Sequence, residues 1–235
     1  MRFVLCHGGW QGGWCWDEVV SQLKLRGQSA YAPTLRGSEA GKVNRAGITL
    51  QDIADGLATF LLERDLNDSM LVGHSGGGPV VQLLADRLPE RVHRVMFVDA
   101  WVLLDGETIF DMGTKGRDMA LAQRSPDATI AMDLDVWKAT FMNDATPEQL
   151  EAVTPRLVPC PIGWFNQPIH LPRFYTLQIP SSYIFLRQDR SMPKKKYQQM
   201  AQRLTNPKIV ECDGSHEAML TRPVELAEAL ITASF

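Results

Sequence analysis

A chain of 235 residues with 45% hydrophobic and 22% charged residues is typical of one large globular domain or two small ones. The formal net charge of -3 at pH 7 gives no electrostatic reason to expect nucleic acid or an anionic membrane as a partner. No apolar run reaches the roughly 18 residues of a membrane span, and the first apolar segment is too short for a signal peptide. These features predict a cytoplasmic protein without a membrane span.

Short apolar strands alternate with helical segments along most of the chain. The strand patterns are, in chain order, FVLC, SAYAP, SMLVG, RVMFVDA, SSYIFLR and PKIVEC. Helical patterns cover residues 16–25, 49–63, 78–88, 195–204 and 223–233, and the spacing of Thr49 and Asp52 predicts a capping box at the start of the second. Such alternation predicts an α/β fold, with a mostly parallel sheet of about six strands flanked by helices.

Residues 103–178 interrupt this alternation with methionines, tryptophans and the proline-rich run VPCPIGWFNQPIHLP. A strand-helix unit resumes after them, so we interpret them as a helical cap inserted into one domain. The core then comprises residues 1–102 and 179–235. The four cysteines form no CxxC pair and no metal-like spacing, so we expect no metal site and buried reduced thiols.

One serine lies in a glycine-rich turn between a strand and a helix. The run GHSGG matches G-x-S-x-G, with Gly73, Ser75 and Gly77 in register. This context predicts a strained turn that exposes the Ser75 hydroxyl above the sheet. The residues two positions away on either side must then lack side chains. Ser75 is therefore the predicted nucleophile.

A serine nucleophile needs a base, and five histidines are available. His216 lies in the polar loop CDGSHEAML after the last strand, at the sheet edge predicted for Ser75. His74 precedes the serine directly, so we expect it to point away from the hydroxyl and to pack beside the strand. His93 opens a strand, and His170 lies in the insertion. The pattern favours His216 as the base.

The base in turn needs an orienting carboxylate. Asp189 lies in FLRQDRSMP after the penultimate strand, at the same edge, and is the favoured acid. Asp99, at the end of the strand RVMFVDA, remains a rival, while Asp213 is too close to His216 along the chain. In this arrangement His216 takes the Ser75 proton, and the acid holds the ring tautomer and stabilises the imidazolium.

Backbone donors and aromatic side chains complete the predicted site. The segment HGGW at residues 7–10 follows the first strand, so the N–H groups of Gly9 and Gly76 are expected to converge on a developing oxyanion. Tryptophans and methionines of the cap indicate an apolar pocket that adapts to shape. The candidate pocket residues are Trp10, Trp137 and Trp164.

With these residues the sequence resembles the α/β-hydrolase superfamily, in particular the branch of plant methylesterases, hydroxynitrile lyases and small bacterial esterases. The matching segments are FVLCHGGWQGGWCW, LVGHSGGG, QDRSMP and GSHEAMLTRPVELAEAL. The resemblance implies an enzyme without a cofactor. It also implies Ser75, Asp189 and His216 as catalytic triad, with Gly9 and Gly76 as oxyanion donors.

Two positions depart from the lyases of this branch, which carry a threonine where Gly8 stands and a lysine where Glu217 stands. A departing cyanide needs a positive group, and Glu217 would oppose it. We therefore predict a serine hydrolase that cleaves a small, apolar or aromatic carboxylic ester or lactone through an acyl-Ser75 intermediate. A cofactor-free lyase or dioxygenase and a non-catalytic small-ligand receptor stay open as alternatives. The oligomeric state also stays open, with a homodimer among the alternatives.

Overall fold

A computed structural model of the protein describes residues 1–113, 117–118, 121–122 and 124–235. Its strands are β1 (Arg2–Cys6), β2 (Ser29–Tyr31), β3 (Ser69–His74), β4 (Val92–Val98), β5 (Thr129–Ile130), β6 (Cys160–Pro161), β7 (Ser181–Leu186) and β8 (Lys208–Cys212). The main sheet has six parallel strands in the order β2-β1-β3-β4-β7-β8. This architecture confirms the predicted α/β fold.

The helices are α1 (Asp17–Leu25), α2 (Leu50–Glu63), α3 (Gly77–Arg87), α4 (Leu134–Val136), α5 (Pro147–Val153), α6 (Gly163–Asn166), α7 (Lys194–Ala201), α8 (Ala218–Thr221) and α9 (Pro223–Ala233). A π-helical turn, Trp137–Phe141, continues α4. Short 3-10 turns lie at Gly13–Trp16, Pro89–Arg91, Ile109–Met112, Thr154–Arg156 and Phe174–Thr176. Among the residues described, no helix combines the length and apolarity needed to cross a bilayer.

Apolar side chains cover both faces of the main sheet. Val4 and Cys6 of β1 pack with the helices α2, α3 and α7 in one buried cluster. Phe3 and Leu5 of the same strand pack with α1 and α9 in a second cluster. Burial on two faces explains why these strands are continuously apolar rather than alternating.

The local signals for helix ends are partly confirmed. At the start of α2, the Asp52 N–H donates to Thr49 Oγ1 (3.1 Å) and the Thr49 N–H donates to Asp52 Oδ2 (2.9 Å), which is the predicted capping box. The helix predicted over 195–204 ends earlier, at Ala201. There the chain tightens into three-residue turns, with the Leu204 N–H donating to Ala201 O.

The segment between β4 and β7 lies against the loop that follows β1. Its short strands β5 and β6 pair antiparallel. The Trp10 indole N–H donates to Ile130 O (2.9 Å), and the Val158 N–H donates to Trp10 O (2.9 Å). These contacts bring the segment to the carboxyl edge of the sheet, as expected for a cap. The cap boundaries at residues 103 and 178 stay a prediction, and residues 114–116, 119, 120 and 123 within it lie outside the described residues.

Candidate active site

Ser75 follows β3 with a positive φ of 50°, a conformation that is strained for a residue with a side chain. Its N–H donates to Val98 O (3.3 Å), and its own carbonyl accepts from the N–H groups of Gly78 and Trp101, both at 3.1 Å. The turn is therefore held by β4, by the first turn of α3 and by the chain after β4. The Ser75 residue itself remains half-buried.

The glycines around Ser75 are required by space. A Cβ on Gly73 would lie 2.7 Å from Gly77 O, and a Cβ on Gly77 would lie 2.7 Å from Cys6 O. Both distances are shorter than a normal van der Waals contact between carbon and oxygen. The prediction that the positions two residues before and after Ser75 must lack side chains is confirmed.

Asp189 and His216 meet in the loops that follow β7 and β8. The His216 Nδ1–H donates to Asp189 Oδ2 at 2.6 Å, and the two side chains are only 3% and 2% exposed. The second carboxylate oxygen of Asp189 accepts the Ser191 N–H at 2.7 Å. Ser191 Oγ and Tyr197 OH lie 3.1 and 3.3 Å from the same ring nitrogen. This network fixes which nitrogen of His216 faces the carboxylate.

Charge and burial act against each other on this pair. Burial alone would raise the pKa of Asp189, but the His216 charge and hydrogen bonds from His216 and Ser191 hold it below its ordinary value. Burial alone would lower the pKa of His216, but the Asp189 carboxylate and, less strongly, the Glu217 charge raise it above its ordinary value. Asp189 is therefore ionised at neutral pH and favours the imidazolium form of His216.

Asp99, the rival acid, occupies a different position. Its Oδ2 accepts the Leu186 N–H at 3.0 Å, and its φ is 32°. Burial, and then the neighbouring Asp189 carboxylate, raise the pKa of Asp99 well above its ordinary value, which favours its protonated form. The structure thus places Asp189, rather than Asp99, against the His216 ring. Their catalytic roles stay a prediction.

The two predicted oxyanion donors are neighbours in space. A Cβ on Gly76 would lie 3.6 Å from the Gly9 nitrogen and 3.4 Å from Trp164 Nε1. The buried Trp164 indole N–H donates to Gly76 O at 2.9 Å. Gly76 also precedes α3 directly, so free N–H groups at the start of this helix favour negative charge nearby. The two backbone segments therefore approach each other as the oxyanion-hole prediction requires.

An aromatic group covers the His216 ring. Phe141 meets this ring edge-on, with 5.0 Å between centroids, although the sequence does not single it out. Trp10 packs edge-on against Phe141 at 6.1 Å, and Trp137 stacks on it at 5.3 Å. Trp137 is fully buried and lies one ring farther from His216, so it supports Phe141.

A second imidazole and a second carboxyl group lie beside His216. The buried His74 ring is 4.6 Å from the His216 ring, centroid to centroid. Glu217 is also buried and accepts a hydrogen bond from Gln11 Nε2. Burial raises the pKa of Glu217 to about 7. One ligand atom from each of His74, His216 and Glu217 lies within 4.8 Å of the others, so these three residues could hold a metal ion.

The fold and the strained serine turn are those of α/β-hydrolases. The model of the alpha/beta hydrolase family matches residues 3–229, and the chain belongs to this family. A solved structure described as an extracellular α/β-hydrolase from a Paenibacillus species, with structural and functional homology to tobacco salicylic acid binding protein 2, is 31% identical. It superposes with a TM-score of 0.93, covering 99% of this chain and 98% of that chain.

Two curated relatives carry esterase names. A carbendazim-hydrolyzing esterase of Nocardioides sp. (strain SG-4G) is 25% identical over 238 residues, covering 97% of this chain and 98% of that protein. The putative chloroplastic methylesterase 13 of Arabidopsis thaliana is 23% identical over 248 residues. This chain covers 56% of the plant protein and therefore spans about half its length. The predicted cytoplasmic location stays a prediction.

Proposed function

We propose that this chain is a carboxylic ester hydrolase that acts through an acyl-Ser75 intermediate. The observation that carries the proposal is the buried hydrogen bond of 2.6 Å between His216 Nδ1 and Asp189 Oδ2. This pair lies at the same sheet edge as the strained turn of Ser75. The esterase names of the relatives favour the same reaction.

The proposed reaction begins with neutral His216, whose Nε2 accepts the Ser75 hydroxyl proton as Oγ attacks the ester carbonyl. Asp189 stabilises the imidazolium that forms, and the N–H groups of Gly9 and Gly76 bind the oxyanion. The imidazolium then protonates the departing alcohol, which leaves Ser75 acylated. A water molecule, deprotonated by His216, releases the acid and restores the free serine.

Aromatic side chains near the base support a small, apolar or aromatic substrate. Phe141 lies against His216, and Trp10 packs against Phe141 and, with 5.5 Å between ring centroids, against Phe165. Such walls favour an apolar acyl or alcohol group and offer little to a charged one. We therefore propose small aryl or methyl esters, or lactones, as the substrate class.

The test is hydrolysis of p-nitrophenyl acetate by wild type and by Ser75→Ala. We expect a loss of about 10⁴-fold or more, because triad residues act as a unit. Ser21→Ala, at an exposed serine of α1, is the matched control and should keep full activity. Phenylmethylsulfonyl fluoride should add one mass increment to the peptide that contains Ser75. Full activity of Ser75→Ala would contradict the proposal.

A further inference from the structure

The group formed by His74, His216 and Glu217 contains more polar side chains than the proposed ester hydrolysis uses. These side chains are fully or almost fully buried, and a ligand atom of each lies within 4.8 Å of the others. The proposed reaction involves only His216 directly. A reason is therefore needed for a second imidazole and a second carboxyl group at the same place.

The hydrogen bonding of His74 differs from that of an ordinary core histidine. His7, which is equally buried, has both ring nitrogens engaged: Nδ1 with Gly8 O (2.8 Å) and Nε2 with the Leu35 N–H (3.0 Å). Within the described part of the chain, neither ring nitrogen of His74 has a hydrogen-bond partner of normal geometry, although a contact with the His216 backbone partly offsets the lowering of its pKa by burial. Buried polar groups almost always have one, so packing beside the strand does not by itself explain His74.

We propose that His74, His216 and Glu217 form a binding site for a divalent transition metal of the Zn²⁺ type, and that the bound ion inhibits the hydrolase. Two imidazoles and one carboxylate are a donor set that zinc prefers, whereas Ca²⁺ and Mg²⁺ prefer oxygen donors alone. The inhibitory part rests on the proposed function. The binding part does not.

The surroundings fit a cation. The Nδ1 atom of His216 is bound to Asp189, which leaves Nε2 as the nitrogen for a metal. A carboxylate on the far nitrogen of a ligating histidine is the usual support in zinc sites. Asp189 and, once the ion displaces its proton, Glu217 supply two negative charges against the two positive charges of the ion.

The ligand atoms of His74, His216 and Glu217 must move closer together to bind a metal ion. Ligand atoms in a tetrahedral zinc site lie about 3.3 Å apart, given metal–ligand bonds of about 2.0–2.1 Å. The present spread of up to 4.8 Å therefore asks His74 and Glu217 to move toward the held ring of His216 by up to about 1.5 Å. Inhibition follows directly, because an ion on Nε2 occupies the lone pair that must accept the Ser75 proton.

The binding test uses Co²⁺ as a spectroscopic probe on protein stripped with EDTA and freed of the chelator. We expect one Co²⁺ per chain with the visible absorption of a four-coordinate site, and displacement by Zn²⁺. Glu217→Gln, which keeps the side-chain volume, should weaken Co²⁺ binding roughly tenfold or more. His74→Phe should do the same if it folds, and Glu217→Gln decides the matter if it does not. Ser75→Ala should still bind Co²⁺.

The matched control replaces two exposed histidines, each of which is paired with a single carboxylate. The exposed His93 is 2.8 Å from Asp68, and the exposed His170 is 3.3 Å from Asp105. The double variant His93→Gln, His170→Gln should bind Co²⁺ like wild type. Loss of binding in this variant, or unchanged affinity in Glu217→Gln, would overturn the metal site.

The kinetic test follows p-nitrophenyl acetate hydrolysis as Zn²⁺ is added. We expect inhibition that EDTA reverses, with an inhibition constant raised roughly tenfold or more in Glu217→Gln relative to wild type. Binding of Co²⁺ with no effect of Zn²⁺ on hydrolysis would overturn the inhibitory part. If wild type hydrolyses no ester, the proposed function fails, and the Co²⁺ measurements still decide whether the site exists.

Discussion

Replacing Asp189 with asparagine tests how the proposed base is held. The carboxylate now accepts the His216 Nδ1–H at 2.6 Å, so the lone pair of the ring lies on Nε2, where a serine proton can be taken. An asparagine of the same size can turn its NH₂ group toward Nδ1. The ring proton then moves to Nε2, and the base loses its acceptor.

The size of the effect follows from the burial of this pair. At 3% and 2% exposure, bulk water cannot replace the lost carboxylate. We expect a fall in kcat of about 10⁴-fold for Asp189→Asn, as for the equivalent change in other triads, or about 5.5 kcal/mol at 1.36 kcal/mol per tenfold. Ser191 Oγ (3.1 Å) and Tyr197 OH (3.3 Å) can still accept a proton on Nδ1, so a residual rate above that of Ser75→Ala is expected.

Asp99→Asn is the matched control, because the Asp99 side chain is also buried but bonds to the Leu186 N–H instead of the ring. Its raised pKa favours the protonated form, so an amide is the closest neutral substitute for it. We expect a loss of less than about tenfold in kcat. Steady-state hydrolysis of p-nitrophenyl acetate, with circular dichroism as a check on folding, measures both variants. A larger loss in Asp99→Asn than in Asp189→Asn would refute the assignment of the acid.

Three further predictions test the surroundings of the site. Gly8→Ala should lower kcat by roughly 10–100-fold, because it would displace the proposed nucleophile. The new Cβ would lie 2.9 Å from Ser75 Cβ. A wild-type kcat in a folded variant would contradict this prediction. In EDTA-containing buffer, kcat/KM should rise with pH through a pKa above the ordinary histidine value of about 6.5, measured as a pH profile. Burial lowers the pKa of His216, but the charges of Asp189 and Glu217 outweigh the effect of burial. Only the neutral ring accepts a proton, so the rate should rise as the ring loses its charge. An inflection of the pH profile at or below about 6.5 would argue against this environment of His216. Mandelonitrile should release no cyanide above background, since Gly8 and Glu217 supply neither a hydroxyl nor a cation; rapid cyanide release without ester turnover would refute the hydrolase proposal.

The parts of the fold that depend on local signals could be predicted from the sequence. The apolar runs gave the six strands of the main sheet, and the Thr49–Asp52 spacing gave the start of α2. The GHSGG run predicted the turn of Ser75 because its requirement for glycine is steric, and at Gly73 the clash lies within the turn itself. The meeting of Asp189 and His216 followed from topology alone, since parallel strands bring their carboxyl ends to one edge.

Contacts between distant segments could not be predicted in this way. Phe141 reaches His216 from a π-helical turn of the inserted segment, and no periodic pattern predicts which ring of such a turn points inward. Gln11 and Glu217 are both polar residues in loops, which composition alone would assign to the surface. Their hydrogen bond is buried because it joins the loops after β1 and β8 beneath the cap.

The environment of His216 shows how these two kinds of information combine. Topology places its loop beside that of Asp189, and the carboxylate fixes one edge of the ring. Packing supplies the rest, with Phe141 edge-on at 5.0 Å and the His74 ring at 4.6 Å. A ring enclosed in this way would lose little rotational freedom in the transition state of the proposed reaction. Within the described part of the chain, the same enclosure places the two unbonded ring nitrogens of His74 beside His216, so the geometry that suits the proposed base also suits the proposed metal ion.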